Sequence, residues 1–101
     1  MRQHDEGTKF IAYALWLAGY SAGIIGHWLG MRRPQALGLC QRSPWGNRAA
    51  MSLQERQKAL DELRAIRIGA DGRPLDGGRL SRFDWKAMAL NRAQERGRVE
   101  N

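Results

Sequence analysis

The chain has 101 residues and a mass of 11.4 kDa, room for one small domain, or one domain with an extension, around a modest core. Hydrophobic residues make up 43% of it, which excludes a compositionally disordered polymer, and no apolar run approaches the about 20 residues that a membrane span needs. A formal net charge of +7 and a pI of about 10.8 favour a polyanionic partner, while the single cysteine, Cys40, excludes an internal disulfide and a Cys-rich zinc site.

Arginine supplies 14 of the 17 cations. Guanidinium groups bond bidentately to phosphate and to guanine, so the bias suits nucleic-acid recognition. A GC-rich genome produces the same bias whatever the function. The apolar stretch at 10–18 is too short to span a membrane, and its flank, Asp5 and Glu6, is not that of a signal peptide, so the chain reads as intracellular.

Residues 1–7 are polar. From 8 to 18, Phe10, Ile11, Ala14, Leu15 and Ala18 recur at three and four and predict a first helix, capped by Thr8 and closed by a left-handed Gly19. Ser21 is the N-cap of a second helix over 22–29, with Ile24, Ile25, Trp28 and Leu29 inward and Gly30 at its end. Pro34 suits the first turn of a third helix over about 33–42, with Ala36, Leu37 and Cys40 inward and Ser43-Pro44 as the stop. Residues 44–51 are a connector. Ser52 and Glu55 form a capping-box pattern for a fourth helix from 52 to about 68, with a narrow stripe of Leu53, Leu60, Leu63 and Ile66. The Gly/Pro/Asp-rich stretch 69–78 is loop or turn and admits a short wing-like hairpin. Ser81 and Asp84 predict a fifth helix to about residue 93, burying Phe83, Ala87 and Leu90, with Trp85 and Met88 on a neighbouring face.

The informative stretch is 19–42. A turn glycine and a serine cap open a short apolar helix, Leu29-Gly30 closes it, and a basic, amide-bearing helix follows at once. That is the pattern of a helix-turn-helix, whose second helix usually enters a DNA major groove. The outward candidates are Arg32, Arg33, Gln35, Gln41 and Arg42. Arginine reads guanine O6/N7 and glutamine reads adenine N6/N7, and Arg32 and Arg48 are assigned to phosphates. Gly38 in mid-helix costs about 1 kcal/mol against alanine, and close approach to another helix or backbone would justify it.

The remaining chemistry-bearing residues point to packing. Trp16 and Trp28 fall on apolar faces and read as core. Trp45 and Trp85 suit either packing or a partner contact, and Leu53, Leu60, Leu63 and Trp85 form the candidate partner surface. His4 and His27 lack acidic or cysteine partners at ligand spacing, so no metal or other cofactor is expected. Cys40 reads as a small buried residue. Neither a nucleophile set nor a phosphate loop stands out, so no enzymatic activity is expected.

Leu15-Trp16, Gly19, Ser21-Ala22, Ile25, Leu29-Gly30, Arg33, Gly38 and Arg42 resemble, with one residue of slack after Leu-Gly, the N-terminal motif of the GcrA cell-cycle regulator family. The resemblance covers about residues 8–43. It implies a small bacterial transcription regulator that docks promoter DNA and engages the housekeeping sigma factor of RNA polymerase through a C-terminal segment. The chain departs from the family at Pro34, where an asparagine is usual, and at Leu39, where a basic residue is usual; His4 or Phe10 stands where the family has an early aromatic. The family's methylation-sensitive site preference is therefore not carried over.

The resulting expectation is an all-α chain: a three-helix helix-turn-helix unit over 1–51, then two further helices over 52–101 that bind a partner or self-associate. Its partners would be double-stranded DNA and RNA polymerase or sigma factor, in the cytoplasm or nucleoid of a bacterial cell and without a membrane. The competing expectation is a phage or prophage interaction protein, a DNA-packaging subunit or polymerase modulator, that uses the same motif as a scaffold.

Overall fold

The computed structural model describes residues 6–90. Within them the fold is all-helical: α1 (Glu6–Ala18), α2 (Ala22–Leu29), α3 (Arg33–Gln41), a single 3-10 turn (Arg48–Ala50) and α4 (Leu53–Ala65). None of these helices is long and apolar enough to cross a membrane. His4 and the end of the expected fifth helix lie outside the described residues.

α1 is the centre of the molecule. Besides the five apolar positions of its expected face, Ala12, Trp16 and Leu17 are buried, and a helix apolar on most of its circumference must be covered from several sides. α2, α3 and α4 all pack on it. Its C-terminus is therefore internal, and four exposed carbonyls there would be costly. Gly19 (φ 115) closes the helix in a Schellman arrangement, its N–H donating to the Trp16 carbonyl and the Tyr20 N–H to that of Leu15. The Leu17 carbonyl accepts from Arg56 and that of Ala18 from the Met88 N–H.

The caps of α2 and α4 follow the sequence. Ser21 Oγ accepts from the Ile24 N–H, and Ser52 and Glu55 exchange both bonds of the capping box. α4 ends at Ala65, short of the expected 68, and its Leu60 and Leu63 are buried while Leu53 and Ile66 stay exposed. After it, an antiparallel bridge pairs Ile68 with Pro74, the extent of the admitted hairpin among the described residues.

The fifth helix does not form over residues 83–90. This segment is an irregular strap laid over α1 and α4. Asp84 accepts from the Lys86 N–H, closing a local turn instead of capping a helix. Trp85 takes the left-handed conformation (φ 54), which interrupts any helical run. The strap's main chain is bonded to side chains: Gln57 Nε2 donates to the Trp85 carbonyl at 2.9 Å and Gln57 Oε1 accepts from the Ala87 N–H at 2.8 Å. Trp85 and Ala87 are buried, Phe83 and Leu90 half-buried and Met88 exposed. One apolar cluster runs from Phe10 in α1 through Ile25, Cys40 and Leu60 to Trp85.

Candidate nucleic-acid interface

α2 and α3 are joined by a three-residue turn at 30–32. Gly30 supplies the left-handed φ of 68, and the N–H groups of Gly30 and Met31 both donate to the Gly26 carbonyl. Gly26 makes this turn tight: a Cβ there would lie 2.6 Å from the Met31 carbonyl oxygen. The two helices are thus locked through main chain as well as through Ile25 and Ala36, both fully buried. α3 opens with Pro34 in its first turn, where a missing N–H is harmless.

α3 buries Ala36, Leu39 and Cys40 and leaves Arg32, Arg33, Pro34, Gln35, Gln41 and Arg42 exposed. At about 100° per residue, Pro34, Gly38 and Gln41 centre the outer face, and Arg33 and Gln35 sit on its opposite flanks. Arg42, just past the end of the helix, folds back over Gly38: a Cβ on Gly38 would stand 3.1 Å from Arg42 Nη1. The neighbour that the glycine admits is therefore a guanidinium, not another helix or backbone. Gln35 Oε1 already accepts from the Arg32 N–H at 3.0 Å, so its amide is committed on one side. Leu39 faces the core.

Several sequence expectations are corrected. Arg48 is not on a phosphate-facing surface; it is 2% exposed. Its Nη1 donates to the carbonyls of Trp16 and Tyr20, each at 2.7 Å, and its guanidinium lies 3.7 Å over the Trp16 ring. The end of α1, rich in carbonyls and carrying the negative pole of the helix, attracts the cation inward. Leu60, Leu63 and Trp85 are buried in the shared core and offer no partner surface; Trp85 packs between Phe10 and Phe83. Leu53 is exposed. On α2, Ile24 (42%) and Trp28 (37%) face outward instead of into the core, next to exposed His27. Trp45 is half-buried, edge-on to Tyr13, and its carbonyl accepts from Trp16 Nε1.

Two features went unread in the sequence. Between Glu6 and Glu55 the chain has no aspartate or glutamate, so no acid in that stretch opposes the cations of α3. That signal was legible from charge patterning alone. The second is the internal use of arginine. Arg56 is buried and bridges the Leu17 and Met88 carbonyls, Arg67 pairs with buried Asp76 at 2.8 Å, and Arg79 donates to the Trp28 carbonyl. A planar fork that reaches two acceptors at once suits such helix ends better than an ammonium. Part of the arginine bias is therefore structural.

Among the described residues no three His, Cys, Asp or Glu side chains converge as metal donors. Burial pushes the Cys40 thiol up to about 12, with Arg48 opposing, so it is a neutral core group at physiological pH. No family model matches the chain, and neither a curated protein sequence nor a solved structure matches it.

Proposed function

We propose that the protein is a small DNA-binding transcription regulator whose α2–turn–α3 unit acts as a helix-turn-helix, with α3 in the major groove of double-stranded DNA. The observation that carries this reading is the outer side of α3 and its approach: Arg32, Arg33, Gln41 and Arg42 are exposed in a stretch free of acidic residues. Arg33 and Arg42 offer guanidinium forks to guanine or phosphate, Gln41 an amide to adenine, and Arg32 a phosphate contact at the helix entrance. The low relief of exposed Pro34 on the outer face lets a duplex approach closely, while the Arg42 guanidinium lies over Gly38 beside it. The GcrA-like spacing of residues 15–42 supports the same reading and extends it to a contact with RNA polymerase or sigma factor through the second half of the chain. Of the residues assigned to that contact, Leu53 is the exposed one.

The test is electrophoretic retardation of genomic duplex fragments by the full chain and by the double variant Arg33→Ala, Arg42→Ala. The variant should lose retardation while its thermal unfolding midpoint stays within about 2 °C, since both side chains are exposed. Unchanged retardation at low salt would sink the proposal.

A further inference from the structure

We infer that the loop after α4, residues 75–82, is a second DNA-contacting element that presents Arg79 to a backbone phosphate flanking the groove entered by α3; this rests on the DNA-binding reading above.

The loop is built to hold a cation in place. Asp76 is buried and its carboxylate accepts from Arg67 Nε at 2.8 Å, from Arg67 Nη2 at 3.3 Å and from the Leu80 N–H at 2.5 Å. The acid of the loop is thereby neutralised inside the protein. Leu80, the next residue after Arg79, is fully buried and pins the loop to the core. Successive turns, with Arg79 N–H donating to the Asp76 carbonyl and Ser81 N–H to that of Gly78, fix the main chain around this pin.

Arg79 itself is exposed, and one of its guanidinium nitrogens donates to the Trp28 carbonyl in the last turn of α2. That carbonyl is one of those a helix end leaves without an intrahelical partner, and a cation is favoured there. The bond ties the loop to α2 just ahead of the 30–32 turn that leads into Arg33. It also orients the fork while leaving further N–H donors for a ligand. A guanidinium already held in one geometry loses less freedom on meeting a phosphate than a free surface side chain does. Arg82, two residues after Leu80, is exposed as well. The exposed acids nearby in sequence, Asp71 and Asp84, are each turned onto a local main-chain N–H, that of Arg73 and of Lys86. The ligand chemistry is the phosphodiester backbone, so the contact adds affinity without base preference.

The experiment measures fluorescence anisotropy of a labelled duplex with the full chain across a salt series, for wild type, Arg79→Gln and Arg79→Lys. Arg79→Gln should weaken binding roughly fivefold on unrelated duplexes alike and make the slope of log affinity against log salt shallower by about 0.9. Arg79→Lys, which keeps the charge and loses the fork, should retain the slope. A thermal midpoint that falls in Arg79→Gln while the slope stays at the wild-type value would mean that Arg79 only caps α2, and would overturn the inference alone. Absence of salt-dependent binding in wild type would overturn the DNA-binding reading itself, and this inference with it.

Discussion

Arg48 and Arg33 are the same residue type with opposite fates, and the difference lies in what surrounds each. Arg48 follows a connector that returns to the buried end of α1, where two carbonyls and an indole face await a planar cation. Arg33 begins a helix and stays in solvent. Arg48→Met should cost about 2–4 kcal/mol in urea unfolding, because the Tyr20 carbonyl loses a charge-assisted bond and the Trp16 ring its cation. Arg48→Lys should also destabilise: one nitrogen can reach both carbonyls, as Nη1 does, but an ammonium has no planar group to lay over the Trp16 ring at the same time. A variant as stable as wild type would refute the core role. Cys40 gives a pH signature. Its thiol ionises from about 9.0 in the open chain and near 12 in the fold, so the unfolded state releases its proton first. The contribution is constant below about pH 9 and is lost as pH rises from there toward about 12. The Tyr13 hydroxyl, raised chiefly by burial and next by Cys40, acts in the same direction above its ordinary 10.0. Cys40→Ala should therefore lose less stability than wild type between about pH 8 and about pH 10.5, measured by denaturant midpoints. Equal losses in both proteins would count against it.

At the scale of elements, the unit that matters is α2, its turn and α3, and its geometry hangs on Gly26. Gly26→Ala puts a methyl group against the Met31 carbonyl, which is main chain and cannot swing away. Destabilisation of about 1–3 kcal/mol should follow, with a matching loss of DNA affinity as α3 is displaced. Gly38→Ala meets only the movable tip of Arg42, so the better helix propensity should win by roughly 0.5–1 kcal/mol. The reverse order of the two in thermal unfolding would contradict this account of the turn. What was legible in the sequence here was local chemistry. Ser21, Gly30 and the Ser52/Glu55 pair mark helix ends because their bonds close within a few residues. What was not legible depended on distant partners. Ile24 and Trp28 carry an apolar spacing, but α2 is covered on only one side, where Ala22, Ile25 and Gly26 suffice. The strap was misread as a helix because Ser81 and Asp84 imitate caps. Its alternation of Phe83, Trp85 and Ala87 with Asp84, Lys86 and Met88 has a period of two and fits an extended chain better. The bonds that hold it come from Gln57, which is 28 positions from Trp85 and 30 from Ala87.

At the scale of the molecule, helix burial and charge are arranged on one scaffold. The core passes without a break from α1 through α3 and α4 to the strap, so the surface of α3 is backed by the whole apolar cluster. Some cations are consumed at helix ends and acids, as Arg48, Arg56 and Arg67 are, and others stay outward, among them Arg32, Arg33 and Arg42 at α3 and Arg79 on the loop after α4. Composition displayed the total charge but not this division, because only the fold decides which guanidinium meets a carbonyl. If the outward set is the functional one, binding must be electrostatic in large part and independent of the buried arginines. The most direct measurement is the affinity of the full chain for a labelled duplex, by anisotropy, from about 50 to about 200 mM salt. Arg32, Arg33, Arg42 and Arg79 each displacing a counterion predict a slope of log affinity against log salt of about −3.6, falling to about −0.9, the share of Arg79, when Arg32, Arg33 and Arg42 are changed to alanine. A wild-type slope near zero, or a triple variant that keeps the wild-type slope, would contradict the account.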